Sequence, residues 1–342
     1  MKKFLVLLLA FCCFFALAAC APAEEPAPAE DESVAETPAE PIVIKISHVE
    51  NENDALQVTS LMFEEYVEEQ TNGGIDVQVY PNSELASDEE ALQGILLGTV
   101  EMAIPNCAIM ESYQPSFGIT NMPFIFKDDD SMYAALDGGL GERLAADAAQ
   151  SGFRVLGFAN FGHKCFSNSV RPIETPADMA GLDIRVMNSP LLVSTMQALG
   201  ANPTPMAFGE LYTALQQGAV DGQENPISIF YDYKFYEVQQ YLSLTYHGAG
   251  IGVVTIGEEF FNSLSPEYQA IVEEGARLYL VEEQRRIKTE SMSQYLDMIL
   301  AEGITVTEIS EENRQLFIDA VQPVYEQFEA TIGADIFELA QQ

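Results

Sequence analysis

One arginine stands in the middle of an apolar strand pattern. The segment 182–187 mostly alternates between apolar and polar residues, which predicts a β-strand, and Arg185 lies between Ile184 and Val186. A guanidinium in such a place needs an anionic partner, because burial of an unpaired charge is costly. The partner could be an acid of the chain, such as Asp183, or a ligand carboxylate held by two parallel N–H bonds.

Other residue types that could do chemistry are scattered along the chain. His48, His163 and His247 are far apart in sequence, and the pair of His163 and Cys165 lacks the further ligands of a zinc site. No glycine-rich phosphate loop, nucleophile elbow or recognisable pair of catalytic carboxylates is present. The sequence therefore predicts no metal site, no cofactor and no catalytic residue.

The elements around Arg185 have clear start and stop signals. Ser189 followed by Pro190 predicts the start of a helix, and Gly200 predicts its end. A second short helix is predicted at 210–217, and a turn of polar groups is predicted at 221–225. The arginine is therefore expected to lie close to a layer of helix and strand.

The N-terminal part of the chain alternates between strand and helix patterns. Strands are predicted at 42–47, 75–80 and 100–104, with helices at 55–69 and 87–97 between them. This rhythm predicts a parallel sheet with helices on its faces. Ligands of such sheets bind beyond the carboxyl ends of the strands. A candidate cleft is therefore expected at the loops 48–53 and 105–107.

The rest of the chain predicts longer elements. Apolar periodicity and capping residues predict a strand at 153–159, which the segment 160–164 follows, and an apolar stretch at 241–256 that crosses between domains. They also predict a long helix from Pro266 to Leu300, where a break at 288–291 is possible, and a terminal helix at 311–328, where a kink at Pro323 is possible. The roughly 300 residues of this body are enough for two domains that share a hinge.

The chain is strongly acidic. Fifteen lysines and arginines face 53 aspartates and glutamates, for a formal net charge of −38. This charge argues against nucleic acid and anionic membrane surfaces as partners. An anionic ligand would have to be held by local cations against the field of the whole molecule, which salt screens beyond roughly 8–10 Å.

The N-terminus has the pattern of a bacterial lipoprotein. A basic start and an apolar run at 1–19 indicate a signal peptide, and the segment 17–20 fits a lipobox with Cys20 as the acylated residue. An ordinary secretory signal or a short uncleaved anchor is the alternative. The residues 20–40 are rich in alanine, proline and glutamate and predict a disordered acidic linker to the membrane.

Two cysteines remain in the body after Cys12, Cys13 and Cys20 are assigned to the N-terminal segment. Cys107 and Cys165 could form a single disulfide in an oxidising compartment, or both could be buried thiols. The sequence leaves both possibilities open.

Three segments together resemble one protein family. They are GLDIRV from Gly181, GANPTPMAFGELYTALQQGAVDGQENP up to Pro226, and KFYEVQQYLSLT from Lys234 to Thr245. They resemble the signature region of the extracytoplasmic solute-binding proteins of tripartite ATP-independent periplasmic (TRAP) transporters. The segments GGIDVQVYPNSELASDEEALQGILLGTVEMA and MPFIF resemble the N-terminal domain of the same family.

The resemblance implies an α/β fold of the periplasmic-binding-protein type. Two domains would be joined by crossing strands and a hinge, with the ligand cleft between them and a long helix that spans both. By similarity, domain I comprises 41–162 and 251–289, and domain II comprises 163–250 and 290–342.

The resemblance also implies a ligand-binding site. Arg185 matches the family arginine that clamps the ligand carboxylate, Asn225 matches an asparagine that bonds the ligand, and Phe208 matches a phenylalanine that packs against it. Lys164 stands where many members have a second arginine, and a lysine cannot make the bidentate fork. Asn106 lies in a loop that contacts ligand in some members. The residues alone allow a core role for Phe208, a turn role for Asn225 and a solvated surface position for Lys164.

The function implied is that of a binding protein without enzymatic activity. It would capture a small organic acid, such as a sugar acid, hydroxy acid or dicarboxylate, by domain closure and deliver it to the TRAP permease subunits of the membrane. A lipid anchor at Cys20 would hold it outside the cytoplasmic membrane. The alternatives are a receptor domain that presents ligand to a membrane signalling partner, and an enzyme that acts on organic acids with paired carboxylates.

Overall fold

Strands from both halves of the chain join one mixed sheet in residues 40–341, the part of the chain that this computed structural model describes. The strands are β1 (Ile42–Ser47), β2 (Ile75–Tyr80), β3 (Met102–Ala103), β4 (Phe153–Asn168), β5 (Asp183–Val186), β6 (Asn202–Pro205), β7 (Gly222–Pro226), β8 (Tyr241–Gly257) and β9 (Thr305–Glu308). Their order across the sheet is β2-β1-β3-β8-β4-β7-β5-β6, and β9 pairs with β8.

Helices lie between most of the strands and form the C-terminal part. They are α1 (Ala55–Gln70), α2 (Asp88–Leu97), α3 (Cys107–Met110), α4 (Asp129–Leu136), α5 (Gly139–Gln150), α6 (Pro190–Ala198), α7 (Leu211–Gln216), α8 (Ile227–Asp232), α9 (Glu258–Ser263), α10 (Pro266–Gly275), α11 (Gln284–Ala301), α12 (Glu311–Ala320), α13 (Gln322–Ile332) and α14 (Ala334–Ala340). Short 3₁₀ turns occur at Pro115–Asn121, Pro176–Met179, Phe208–Glu210 and Phe235–Glu237.

The predicted N-terminal alternation of strand and helix is present. β1 pairs in parallel with β2 on one side and with β3 on the other. The Ser87 side chain accepts from the backbone N–H of Glu90, and the Glu90 carboxylate accepts from the backbone N–H of Ser87. Gly98 ends α2 with a φ of 69°, in the left-handed region that glycine tolerates. The carboxyl ends of these strands are therefore at one edge, where the loops 48–53 and 105–107 follow.

Two long antiparallel strands connect the two ends of the sheet. β4 and β8 pair along nearly their whole lengths, with register shifts near Gly157, Gly162 and Cys165. β3 pairs with one end of β8, and β7 pairs with the far end of β4. The predicted end of this strand at 159 is wrong, because β4 continues to Asn168. Lys164 therefore lies within the strand.

The region around Arg185 contains more strand than its sequence indicates. Ser189 caps α6 by accepting from the backbone of Leu192, as predicted. The short strand β6 was not predicted, because two of its four residues are prolines, which are depleted in strands. The predicted polar turn at 221–225 is wrong, since β7 pairs in parallel with β5 and antiparallel with β4.

The long C-terminal helical run is continuous from Pro266 to Ala301, but its helix type changes. α10 passes into a π-helical segment at Ala276–Glu283, and α11 follows directly. The possible break at 288–291 does not occur, and the irregularity lies earlier in the run, at Ala276–Glu283. The terminal helix is divided at Val321, between α12 and α13, with Pro323 in the first turn of α13.

Residues 40–342 form one compact unit, and the boundaries of the two predicted domains within it stay a prediction.

Cys107 and Cys165 are buried free thiols, so the disulfide alternative is wrong for this structure. The signal peptide, Cys20 and the acidic linker lie outside the described residues. Among residues 40–341, no helix is long and apolar enough to span a membrane. The same residues contain no cluster of metal-ligating side chains.

Candidate ligand-binding site

Two adjoining cavities lie beyond the carboxyl ends of the N-terminal strands. The volumes that a water-sized sphere can occupy in them are about 20 Å³ and 30 Å³. Both are lined by Val49, Asp88, Met187 and Phe208, so together they form one binding cavity with two parts. Arg185 lines the first part, and the second is lined by Glu50, Asn106, Phe161, Lys164, Asn225, Pro226, Ile229 and Gly250 together with the shared residues.

The structure brings all five sequence-predicted site residues to this cavity. Arg185, Phe208, Lys164, Asn225 and Asn106 each line one part or both. A larger depression of about 520 Å³ on the described surface, beside the end of α2, is lined by none of the five.

Arg185 has a buried guanidinium with only part of its donor capacity used. Its side chain is 1% exposed, and Nε and Nη2 donate to the carbonyl oxygen of Met206 at 3.1 and 2.8 Å. Burial lowers the pKa of Arg185 to about 10, although nearby acids oppose the shift. Among the residues that the structure describes, no carboxylate lies within the 4.0 Å of an ion pair with Arg185. The alternative partner considered from sequence, Asp183, instead accepts from the side chain of Asn202.

Lys164 is buried rather than solvated, and its charge is already balanced. Its Nζ lies 3.0 Å from Oε1 of Glu224 and 3.4 Å from Oδ1 of Asn121. The other oxygen of Glu224 pairs with Nε2 of His247 at 2.8 Å. Burial would raise the pKa of Glu224, but the charge of Lys164 and the interactions with His247 outweigh it and lower the pKa to about 2. The alternative of a solvated surface position for Lys164 is therefore wrong, and the lysine contributes little uncompensated charge.

The remaining three predicted residues have defined local partners. Asn225 lies in β7, and its Nδ2 donates to Oε1 of Gln223. Asn106 caps α3 by accepting from the backbone N–H of Ala108 at 2.9 Å. Phe208 packs edge-to-face on Tyr233, with 4.7 Å between ring centroids, so it belongs to the aromatic packing of this region and to the cavity wall.

Two acidic residues of the cavity were not singled out from sequence. Glu50 is 3% exposed, and its Oε2 has no hydrogen-bond partner among the described residues. Burial and the charge of Asp54 raise the pKa of Glu50 well above its ordinary value. Asp88 accepts from the backbone N–H of Asn106 at 3.2 Å, and burial raises its pKa to about 7. The sequence signals were the position of Glu50 in the predicted cleft loop and that of Asp88 directly after the Ser87 cap.

The cavity walls are held together by contacts between distant segments. Tyr233 donates to the carbonyl oxygen of Val49 at 2.6 Å, and Asn188 donates to Oε1 of Glu89 at 2.8 Å. Each contact joins a residue of the predicted domain I to one of the predicted domain II. The cavity between these walls therefore has the Arg185 guanidinium and the buried acids Glu50 and Asp88 in its lining.

Comparisons with known proteins agree with this architecture. The family model for the bacterial extracellular solute-binding proteins of family 7 (DctP) matches residues 46–331. The 2,3-diketo-L-gulonate-binding periplasmic protein YiaO of Escherichia coli K12 is 31% identical over 278 residues, covering 81% of this chain and 84% of that protein.

Solved structures show the same likeness. A TRAP periplasmic solute-binding protein of Sulfurospirillum deleyianum with bound succinate has a TM-score of 0.84 and 34% identity, covering 89% of this chain and 99% of that one. The sugar-acid-binding protein DctPAm of Advenella mimigardefordensis, in complex with galactonate, has a TM-score of 0.85 and 29% identity, covering 88% and 98%. Because the family model and these similarities cover most of the chain, this protein belongs to the bacterial extracellular solute-binding proteins of family 7, which serve TRAP transporters.

Proposed function

We propose that this protein is a non-enzymatic binding component that captures a small organic anion and delivers it to TRAP permease subunits in the membrane. The observation that carries the proposal is the buried guanidinium of Arg185, which lines the cavity with donors that no carboxylate of the described residues occupies. A ligand carboxylate would complete its hydrogen bonding. The likeness to proteins solved with succinate and galactonate supports an organic acid as ligand.

Capture would proceed by closure of the two predicted domains on the ligand. The contacts Tyr233 to Val49 and Asn188 to Glu89 join the two sides of the cavity, and a ligand that bonds to both sides would favour the closed arrangement. In this proposal Phe208 packs against the ligand, and Asn225 and Asn106 supply polar groups. Lys164 acts through its pair with Glu224, which places the strands β4 and β7 beside the cavity.

Substitution of Arg185 tests the proposal. In a thermal-shift screen of residues 40–342 against organic acids, a ligand at about one hundred times its Kd is expected to add about 2.7 kcal/mol of stability. With the best acid, Arg185→Ala is expected to lose about 2–5 kcal/mol of binding free energy by calorimetry, since the ligand carboxylate loses its donors. Arg286→Ala, at an exposed arginine of α11 paired with Glu283 and Glu290, is the matched control and should bind normally.

The opposite outcomes have a clear meaning. Near wild-type affinity of Arg185→Ala for the acid would show that the arginine is structural and would remove the proposal. A panel in which only neutral sugars stabilise the protein would do the same.

The proposal includes a lipid anchor at Cys20. Replacement of Cys20 by serine in the full chain is expected to abolish incorporation of a tagged fatty acid during growth and to release the protein from the membrane fraction, because the diacylglycerol would have no thiol to join. The control Cys13→Ser removes a cysteine of the predicted signal peptide and should leave both readouts unchanged. Labelling that persists in Cys20→Ser would contradict the lipobox assignment.

A further inference from the structure

The two parts of the binding cavity share Asp88 and differ in their other charged residues. The first part contains Arg185, which has donors to spare, and Glu89. The second part contains Glu50 and Lys164. A ligand that bonds to Arg185 through one carboxylate and extends into the second part therefore brings its other end to two acids.

The two lysines near the second part are already paired, and the charge of Arg185, which has no ion pair among the described residues, acts on Asp88. Lys164 is bound to Glu224, and Nζ of Lys288 lies 2.7 Å from Oδ2 of Asp54. Asp232, a further acid whose charge acts on Glu50, accepts from the hydroxyl of Tyr295 at 2.8 Å. Glu50 is thus left with a buried carboxyl oxygen that no described protein group satisfies.

Buried polar groups normally have hydrogen-bond partners, because an unmet carboxyl oxygen costs free energy. Oε2 of Glu50 lacks such a partner in the described residues, and Glu50 lines the second part of the cavity. A second ligand carboxylate would put acceptors against the ionised form of Glu50 there. A hydroxyl or ammonium group would supply the missing donors.

Resting on the proposed function, we infer that the ligand has one carboxylate, bound by Arg185, and hydrogen-bond donors at its other end, bound by Glu50 and Asp88. The donors are hydroxyl groups, as in a polyhydroxylated monocarboxylic acid, or an ammonium group. Dicarboxylates of the same length bind more weakly. Burial raises the pKa of both Glu50 and Asp88, against the opposing charges of Lys288 and Arg185.

Matched ligand series test the inference by calorimetry on residues 40–342. The four-carbon series is 4-hydroxybutyrate, 4-aminobutyrate, succinate and 1,4-butanediol. The six-carbon series is galactonate, galactarate and galactitol. Within each series only the end groups change, so the comparison isolates the preference for a donor over a second carboxylate. We expect the monocarboxylates to bind at least about tenfold more tightly than the dicarboxylate of the same length in the series that binds.

Variants assign the preference to the two acids. Glu50→Gln and Asp88→Asn are expected to reduce the ratio of monocarboxylate to dicarboxylate affinity at least about threefold, since each amide can donate to the second carboxylate. Glu52→Gln, at an exposed acid of the same loop, is the matched control and should leave the ratio unchanged. The ratio is measured on one protein at a time, so a general loss of stability does not produce the effect.

Each outcome decides something. Tighter binding of 4-hydroxybutyrate or galactonate identifies hydroxyl donors, and tighter binding of 4-aminobutyrate identifies an ammonium group. A dicarboxylate that binds as tightly as the monocarboxylates, and tightens further at lower pH, would mean that protonated acids donate to it and would overturn the inference while keeping the proposed function. Absence of binding by every carboxylate, or binding that Arg185→Ala leaves intact, would overturn the proposed function and the inference with it.

Discussion

Arg185 and Lys164 are both buried cations, and their different partners give them different roles. The lysine belongs to a buried hydrogen-bonded network with Glu224 and His247. In this network the hydroxyl of Thr245 also lies 2.8 Å from Nδ1 of His247. The only hydrogen-bond acceptor of the arginine among the described residues is the backbone carbonyl of Met206. We therefore expect substitutions in the lysine set to act on stability and substitution of the arginine to act on binding.

Glu224→Gln tests this division. The change leaves Lys164 buried without a carboxylate, and loss of one partner of a buried ion pair typically costs about 3–5 kcal/mol of folding free energy. We expect a loss of that order in denaturant unfolding. The double variant Glu224→Gln with Lys164→Met should recover part of it, because no unpaired charge remains. A double variant less stable than the single one would contradict the argument.

The same substitution changes the response to acid. The folded-state pKa of Glu224, about 2, is below its ordinary value of 4.5. Its contribution to stability is therefore fully present above about pH 4.5 and is lost as the pH falls towards 2. Unfolding of Glu224→Gln followed from pH 6 to pH 2 should show a shallower loss of stability than unfolding of the unchanged protein.

The sequence indicated which residues line the cavity better than it indicated their burial and their partners. Arg185 and Asn225 stood out because they match a long signature, and the cleft loops stood out because they follow strands of a parallel sheet. The pairing of Lys164 with Glu224 was not visible, since the two residues are 60 positions apart and meet only when β4 pairs with β7. The unmet carboxyl of Glu50 was hidden for the same reason, because burial depends on segments far away in the chain.

At the scale of elements, the π-helical segment Ala276–Glu283 packs against a glycine of β4. Gly157 has a φ of +152°, and a Cβ atom there would lie 2.4 Å from Cγ2 of Val281. The glycine stands at a register shift between β4 and β8. The missing side chain therefore allows the long helix to approach the long strand where both change their regular geometry.

Gly157→Ala is expected to destabilise the protein by about 1–3 kcal/mol, because the new methyl group overlaps Val281 and the backbone conformation is unfavourable for alanine. Thermal unfolding measures the effect. Gly98→Ala is the matched control, since Gly98 also has a positive φ but has no atom within 4 Å of an added Cβ. Equal losses in both variants would show that backbone strain alone, and not the helix contact, sets the cost.

Sequence signals predicted an element well where the signal and its effect lie within a few residues of each other. The Ser87 and Ser189 caps mark the starts of α2 and α6 because each cap acts within one helical turn. The strand β6 and the π-helical segment escaped prediction because neighbouring elements impose them. Two prolines are accepted in β6 next to β5, and the altered helix type has no local sequence mark.

At the scale of the whole molecule, the charge of −38 opposes the approach of an anion. The binding cavity overcomes this field only at short range, through Arg185. We expect the association rate of an organic acid to rise severalfold between about 10 and 150 mM salt, because added ions screen the repulsion. Stopped-flow fluorescence measures the rate, and trehalose at matched osmolality is the control. An association rate that falls with salt would mean that a local positive field dominates the encounter.

The two buried thiols make the opening of this protein measurable. Burial raises the pKa of both Cys107 and Cys165, the latter to about 12, so hardly any reactive thiolate forms while the body is closed. Each thiol directly follows a cavity residue in sequence, Asn106 in one case and Lys164 in the other. Alkylation by iodoacetamide therefore has to wait for an opening of the walls. The alkylation rate of each thiol therefore reports how often the cavity walls open, without any engineered probe. A molecule bound between the walls will lower the alkylation rates of both thiols.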